Sequence, residues 1–359
     1  MVLLKTHKDF FETPIYASDR TFSNNIFLSL MKLLCKHHEE NSSIYREISS
    51  RMFGFSDEIL KLEDVPFLPV QLFKENNVSS IPDSEIYRVL KSSGTTASKP
   101  SNIVLDKETA ELQSKSLIEI VSQELGRQRL PMVIIDTPNS ISRNRTYSAR
   151  NVAVIGFSQF SSDKCFVFNN ESKIDLDKLF SFLQKNSSSP VLFFGFTFLI
   201  WEFLSAIKPY CKDINIANGI LLHGGGWKKL ANLNISRSNF KVEVQNILGI
   251  DRVIDYYGMA EQVGSIFMEC KSGFFHTTKY SEIVIRNPIT LAPLGFNEIG
   301  VVQLLSLIPK SYPGHSILTE DLGKLLGADD CNCGRLGKYF EILGRVPKAE
   351  VRGCSDSIL

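Results

Sequence analysis

The chain has 359 residues, 43% hydrophobic and 22% charged, with 40 basic against 39 acidic side chains and a net charge of +1. That is enough chain to bury one large core or two smaller ones, and the balanced charge supplies neither a basic field for nucleic acid nor an acidic tail. The opening Met1-Val2-Leu3-Leu4-Lys5 is too short an apolar run for a signal peptide, and seven cysteines, an odd number, predict reduced thiols in the cytoplasm.

In chain order, Leu28, Leu30, Met31, Leu34 and Cys35 recur at helical spacing, so residues 23–50 are predicted helical. Pro66-Phe67-Leu68-Pro69-Val70 then reads as extended, because each proline disfavours helix at its predecessor. Ile86, Tyr87, Val89 and Leu90 form a strand-like run, and a second helix is predicted over Lys107–Leu125. Short apolar runs follow at 132–135, 152–155, 165–168, 191–194 and 220–222, all read as strands. Helical stretches at 176–184 and 198–206 lie between them, which predicts an α/β core with parallel strands. The most apolar stretch, 190–204, carries Glu202 and reads as a buried strand entering a helix, so no membrane span is expected. From Ile283 the pattern is strand-rich, with 300–305 the clearest strand.

Four stretches could carry chemistry. Ser92-Ser93-Gly94-Thr95-Thr96, with Lys99 just beyond, places hydroxyls and backbone N–H groups in a turn that can cradle phosphate oxygens. An ordinary surface loop has the same composition. Gly224, Gly225 and Gly226 follow the strand at 220–222 and would let a flat ligand approach the backbone; a flexible turn reads alike, and His223 alone reads as structural. Tyr257-Gly258-Met259-Ala260-Glu261-Gln262 offers a ring for a base, with a carboxylate four residues on that can hold Mg²⁺ against phosphates. Asp321, read as lying in a turn, can accept ribose hydroxyls, and Arg345 can reach the same ribose or the phosphate. Separately, Cys270, His276, Cys331 and Cys333 supply three thiols and an imidazole, a full set for structural zinc, or else a group of unligated buried thiols.

The order and spacing of these stretches resemble adenylate-forming enzymes, and within them the acyl-protein synthetases of the LuxE type. Pro66–Val70 with Phe73-Lys74, Ser92 to Thr96, Tyr257 to Gln262 and the terminal Arg352-Gly353-Cys354-Ser355 carry that resemblance over nearly the whole chain. The resemblance implies the large N-terminal α/β domain of such enzymes, layered sheets plus a small strand-rich part. It also implies ATP, Mg²⁺ and a carboxylic acid, by family a fatty acid, as reactants. Ser92, Ser93, Gly94, Thr95 and Thr96 would bind phosphate. Gly224, Gly225, Gly226, Tyr257 and Gly258 would frame adenine. Glu261 would bind Mg²⁺, Asp321 the ribose and Arg345 the ribose or phosphate, while Cys354 would receive the acyl group and deliver it to an acyl reductase or acyl carrier protein. The implied organisation is an N-terminal helical and extended region over 1–80, the adenylate-forming core over 81–343 and a hinge-like tail over 344–359.

The sequence departs from the pattern at Ala260, where many relatives have threonine, and around Lys99, where the loop runs Ala97-Ser98-Lys99-Pro100-Ser101. Most relatives also continue well past the Gly-Arg run into a small C-terminal domain; this sequence runs 14 residues past Arg345, so the fold is expected without that domain. Relatives that activate aryl acids have a Cys-x-Cys-Gly-Arg segment like Cys331 to Arg335. A ligase delivering to coenzyme A or a carrier-protein phosphopantetheine, and a non-catalytic nucleotide-binding subunit, are the competing readings.

Overall fold

The computed structural model describes residues 8–16, 20–54, 59–92, 100–141, 146–213, 216, 218–226 and 235–346. Its strands, in chain order, are β1 Leu68–Pro69, β2 Arg88–Lys91, β3 Asn102–Leu105, β4 Leu130–Ile135, β5 Thr146–Ser148, β6 Ser161–Phe166, β7 Leu192–Phe196, β8 Ile220–Gly224, β9 Arg252–Met259, β10 Gln262–Met268, β11 Phe275–His276, β12 Ser281–Arg286, β13 Ile299–Ser306, β14 Ser316–Ala328 and β15 Lys338–Arg345. Contacts divide the chain into two units. One takes the residues up to Glu124 and again from Gly258; the other takes Leu125–Tyr257.

The second unit carries the parallel sheet that the apolar runs predict, ordered β9-β8-β7-β4-β6. Parallel strands are covered on both faces and so need apolar side chains at successive positions. Leu192-Phe193-Phe194-Gly195-Phe196 of β7 is buried throughout. Helices Ala149–Phe157, Leu176–Lys185, Thr197–Ile207 and Arg237–Leu248 belong to this unit. The chain leaves β4 to β6 on one side and returns to β7 on the other, so the strand order reverses at β4. Ligands of open α/β sheets bind beyond the strands' C-terminal ends at such a reversal. Here those ends carry Asp136, Phe196, Gly224 and Tyr256.

One predicted strand is wrong. Residues 152–155 lie inside helix Ala149–Phe157. The β-branched residues suggest a strand, but Ser148 caps the helix by accepting a hydrogen bond from the Asn151 backbone N–H at 3.1 Å. Val154 and Phe157, three apart, are buried together. Capping and one-face burial outweigh β propensity over so short a run.

In the first unit, β12, β13, β14, β15 and β11 form an antiparallel sheet in that order, and β1 adds to β14 in parallel. The helix predicted over 23–50 is two helices, Arg20–Asn41 and Ser43–Met52, interrupted where Ser42 is extended. Pro66–Val70 is extended as its prolines require, and Leu68 and Pro69 pair with Ile317 and Leu318. Helix Lys107–Leu125 forms over the predicted span. No helix among the described residues is long and apolar enough to cross a membrane.

Candidate active site

Glu261 sits in a two-residue turn, Ala260-Glu261, between β9 and β10. The residues that follow lock this turn. Gln262 Nε2 donates to the Leu304 and Gly314 carbonyls at 2.8 and 3.0 Å, and its Oε1 accepts from Ser265 Oγ at 2.6 Å. The Val263 N–H donates to Tyr312 OH at 3.0 Å, and Ser306 Oγ donates to the Val263 carbonyl at 2.9 Å. Every polar atom of the buried Gln262 amide is therefore used, as a buried amide requires.

The Glu261 carboxyl is itself buried, and Ser101 Oγ donates to its Oε1 at 3.0 Å. Ser101 is fully buried and also holds Ser92: its N–H donates to Ser92 Oγ at 2.9 Å, and the Ser92 N–H donates to its carbonyl at 3.1 Å. This reciprocal pair closes the base of the segment containing Ser93, Gly94, Thr95, Thr96 and Lys99, which lies outside the described residues, as do Arg352 and Cys354. Burial pushes the Glu261 carboxyl above the ordinary glutamate range; hydrogen bonds from its own backbone, Ser92 and Ser101, and the charge of Arg345, pull the other way. A carboxylate that is costly to ionise without a cation suits a Mg²⁺ ion that takes its remaining ligands from other oxygens.

Asp321 is not in a turn, as the sequence suggested, but inside strand β14. Gly323 lets the strand continue where a side chain would strike Val302 Cγ2 at 2.7 Å. The β14–β15 register places Asp321 directly opposite Arg345. Arg345 Nε lies 3.5 Å from Asp321 Oδ1, and its Nη1 lies 3.9 Å from Glu320 Oε2. The first unit thus brings Ser92, Glu261, Asp321 and Arg345 into one group, together with Ser101, Lys74 and Glu320, to which the sequence reading gave no role. A serine just past the loop was the only signal for Ser101, and its partner is 160 positions away.

In the second unit, Gly224 ends β8 against Tyr256. A Cβ at Gly224 would meet the Tyr256 ring at 2.5 Å and its carbonyl at 2.7 Å, so only glycine admits that approach. Gly225 turns the chain with φ of +79°. The Tyr256 ring packs 4.8 Å from Phe157 and stacks on Phe194. Tyr257 therefore points to the other face of β9, the alternation a strand imposes. His223 is structural: Thr197 Oγ1 lies 3.0 Å from its Nδ1, Phe240 covers its ring, and burial pushes the imidazole down to about 3. Sequence reading missed the pair at the end of β4, where Arg150 Nε and Nη2 each donate to the buried Asp136 carboxylate at 2.7 Å.

Cys270, His276, Cys331 and Cys333 converge, with all four ligand atoms within 4.8 Å of one another. Cys270 and Cys331 sulfurs are 4.0 Å apart, and Cys333 Sγ is 3.3 Å from His276 Nε2. Tetrahedral zinc with arms of about 2.3 Å would set sulfurs roughly 3.8 Å apart. Two equal turns present the thiols: the Gly273 and Gly334 N–H groups donate to the Cys270 and Cys331 carbonyls, each at 2.9 Å, with φ of +83° and +81°.

Residues 12–359 match the model of the family described as "Acyl-protein synthetase, LuxE". The chain belongs to this family. Two similar proteins are named long-chain-fatty-acid–luciferin-component ligase. The one from Vibrio harveyi is 22% identical over 92% of this chain and 86% of its own length; the one from Aliivibrio fischeri is 24% identical over 84% and 80%. Among solved structures, 2-hydroxyisobutyryl-CoA ligase in an open conformation with 2-HIB-AMP and CoA aligns with TM-score 0.69 at 16% identity, covering 90% of this chain and 75% of that one. The same ligase in its postadenylation state with 2-HIB-AMP aligns at 0.70 and 17%, covering 92% and 69%. Membership in an acyl-protein synthetase family and this fold make the chain an adenylate-forming ligase.

Proposed function

We propose that the chain activates a long-chain fatty acid with ATP and Mg²⁺ and passes the acyl group to Cys354, for delivery to an acyl reductase or acyl carrier protein. The observation that carries this reading is the buried Glu261 carboxylate, joined through Ser101 to the base of the hydroxyl-rich loop at Ser92. The names of the two relatives favour a fatty acid as the substrate.

The carboxylate oxygen of the acid forms a bond to the α-phosphorus of ATP, and the bond to the bridging oxygen breaks, releasing pyrophosphate. Both reactants are anions, so the site must supply cations and oriented donors. Glu261 would hold Mg²⁺, which offsets phosphate charge when bound. Ser92 to Thr96 would donate to phosphate oxygens, Arg345 would meet the phosphate or ribose, and Asp321 would accept the ribose hydroxyls. Gly224 to Gly226, Tyr257 and Gly258 would frame the adenine. The acyl-adenylate is a mixed anhydride; the Cys354 thiolate attacks its carbonyl carbon, and AMP leaves. Cys270, His276, Cys331 and Cys333 would hold a structural zinc.

Pyrophosphate exchange across a panel of carboxylic acids tests the reading, with long-chain fatty acids expected to support it best. Glu261→Gln should slow exchange by roughly 10²-fold or more. In Cys354→Ser a hydroxylamine-sensitive acyl label should vanish while exchange persists. If label and onward transfer both survive, the acceptor is coenzyme A or a carrier thiol. A wild-type chain that exchanges with no acid is a nucleotide-binding subunit instead.

A further inference from the structure

Glu320 and Lys74 are two ionised groups beside Arg345 that the reaction outlined above does not use. Their side chains are only 12% and 10% exposed. Glu320 Oε1 accepts from Gln71 Nε2 at 2.7 Å. Its Oε2 lies 3.9 Å from Lys74 Nζ and equally 3.9 Å from Arg345 Nη1. Both distances are within ion-pair range and beyond hydrogen-bond range, so one oxygen is shared electrostatically by two cations.

Backbone register builds this arrangement. Leu68 and Pro69 pair with Ile317 and Leu318, and the Val70 N–H donates to the Leu318 carbonyl at 2.9 Å. The chain then turns into helix Leu72–Glu75, which carries Lys74 toward β14 two residues beyond that pairing. Glu320 also fixes where β15 ends, since its carbonyl accepts from the Val346 N–H at 2.9 Å. Pairing of β14 with β15 puts Arg345 on the other side of the same carboxylate.

We propose that Lys74 is a positioning residue for Arg345. It acts as the standing counter-ion of Glu320, so that Arg345 can leave that carboxylate for the nucleotide. This rests on the adenylation reading for its purpose, but its chemistry is local. A poorly hydrated carboxylate is costly when unpaired. With Lys74 present, Glu320 stays compensated whichever way the guanidinium points. Without Lys74, Arg345 becomes the principal cation for Glu320, and each nucleotide must compete for it.

The test measures ATP affinity by calorimetry on the full chain, alongside pyrophosphate exchange. Lys74→Met should weaken ATP binding about tenfold, the worth of one partly buried charge pair, and raise KM for ATP more than it lowers kcat. Lys74→Arg should bind within about threefold of wild type. The Lys74→Met/Glu320→Gln double variant should recover most of the loss, because a neutral amide needs no counter-ion and holds no cation. A purely structural lysine would not be rescued this way. If Lys74→Met does not fold, Lys74→Gln takes its place in the same cycle. Unchanged ATP affinity in the single variant, or a double variant as weak as the single, overturns the proposal. A wild-type chain that binds ATP but exchanges with no acid sinks the adenylation reading alone, and the affinity cycle still decides the role of Lys74; a chain that binds no ATP sinks both.

Discussion

At the scale of single residues, the proposed adenylation turns on the pair Ser101–Glu261. Glu261 must be ionised to hold a cation, yet burial raises its carboxyl above the ordinary value of 4.5. As pH falls through that raised value the group protonates and the cation is lost. The acid limb of the pyrophosphate-exchange profile is therefore expected above the usual glutamate range, and saturating Mg²⁺ should move it down. Ser101→Ala removes a donor that favours the ionised form, so the limb should move up and exchange near neutrality should fall roughly 3–10-fold. A limb that stays in place in Ser101→Ala would refute the assignment. Glu261, Asp321 and Arg345 could be singled out in the sequence as candidates because their motifs are short and ordered. Ser101, Lys74 and Glu320 were not, because each finds its partner 160 or more positions away in the chain.

Secondary-structure elements were read well where one signal dominated. The apolar runs of β4, β7 and β8 and the periodicity of helix Lys107–Leu125 survive intact. Reading failed where two signals competed, as at 152–155, where a serine cap overrode β-branched residues, and around Asp321, where acidic residues and a glycine suggested a turn inside a thirteen-residue strand. The paired cysteine turns are a case where spacing misled only mildly. The Cys331-Asn332-Cys333 gap is tight, but Gly334 folds it into the same turn as Cys270 to Gly273. Purified protein should carry about one zinc per chain, and strong chelation should lower its melting temperature by several degrees, since metal held only in the folded state adds its binding free energy to stability. Elemental analysis finding no metal in intact protein rules the site out.

Across the whole molecule, a buried histidine pair makes stability depend on pH. His38 and His315 are fully buried and stack with ring centroids 4.6 Å apart. His38 is held by Ser80 Oγ at 2.8 Å and the Pro309 carbonyl at 3.2 Å; His315 Nε2 faces Cys35 Sγ at 3.3 Å and Tyr45 OH at 3.1 Å. Burial, with His37 and His315 nearby, holds His38 well below 6.5, and burial with His37 pushes His315 down to about 3. Burial likewise raises the Cys35 thiol to about 12 and lifts Tyr45 well above its ordinary value, with Glu39 adding to both, so these partners stay neutral. A depressed folded-state value means the neutral pair stabilises above the unfolded value near 6.5, and that contribution is lost as pH falls below it. Urea midpoints should drop between pH 7 and pH 5 by an amount worth on the order of a few kcal/mol, and His315→Gln should flatten the slope. An equally steep slope in that variant would assign the acid sensitivity elsewhere.

The parallel pairing of β1 with β14 has a consequence for the making of the protein. Leu68 must wait for Ile317, 249 positions later (317 − 68), before that pairing can form. A ribosome adding about 5–20 residues per second needs roughly 12–50 s to supply it. Residues 125–257, whose parallel sheet is contiguous in sequence, can form their own contacts in that interval. Phe67, Leu68, Val70 and Phe73, all buried in the finished fold, meanwhile lack partners made late in the chain: Arg286 over Phe67, Ile317 and Leu318 beside Leu68 and Val70, and Tyr312 against Phe73. The segment that ends by placing Lys74 beside Glu320 thus stays open to a nascent-chain chaperone through that interval.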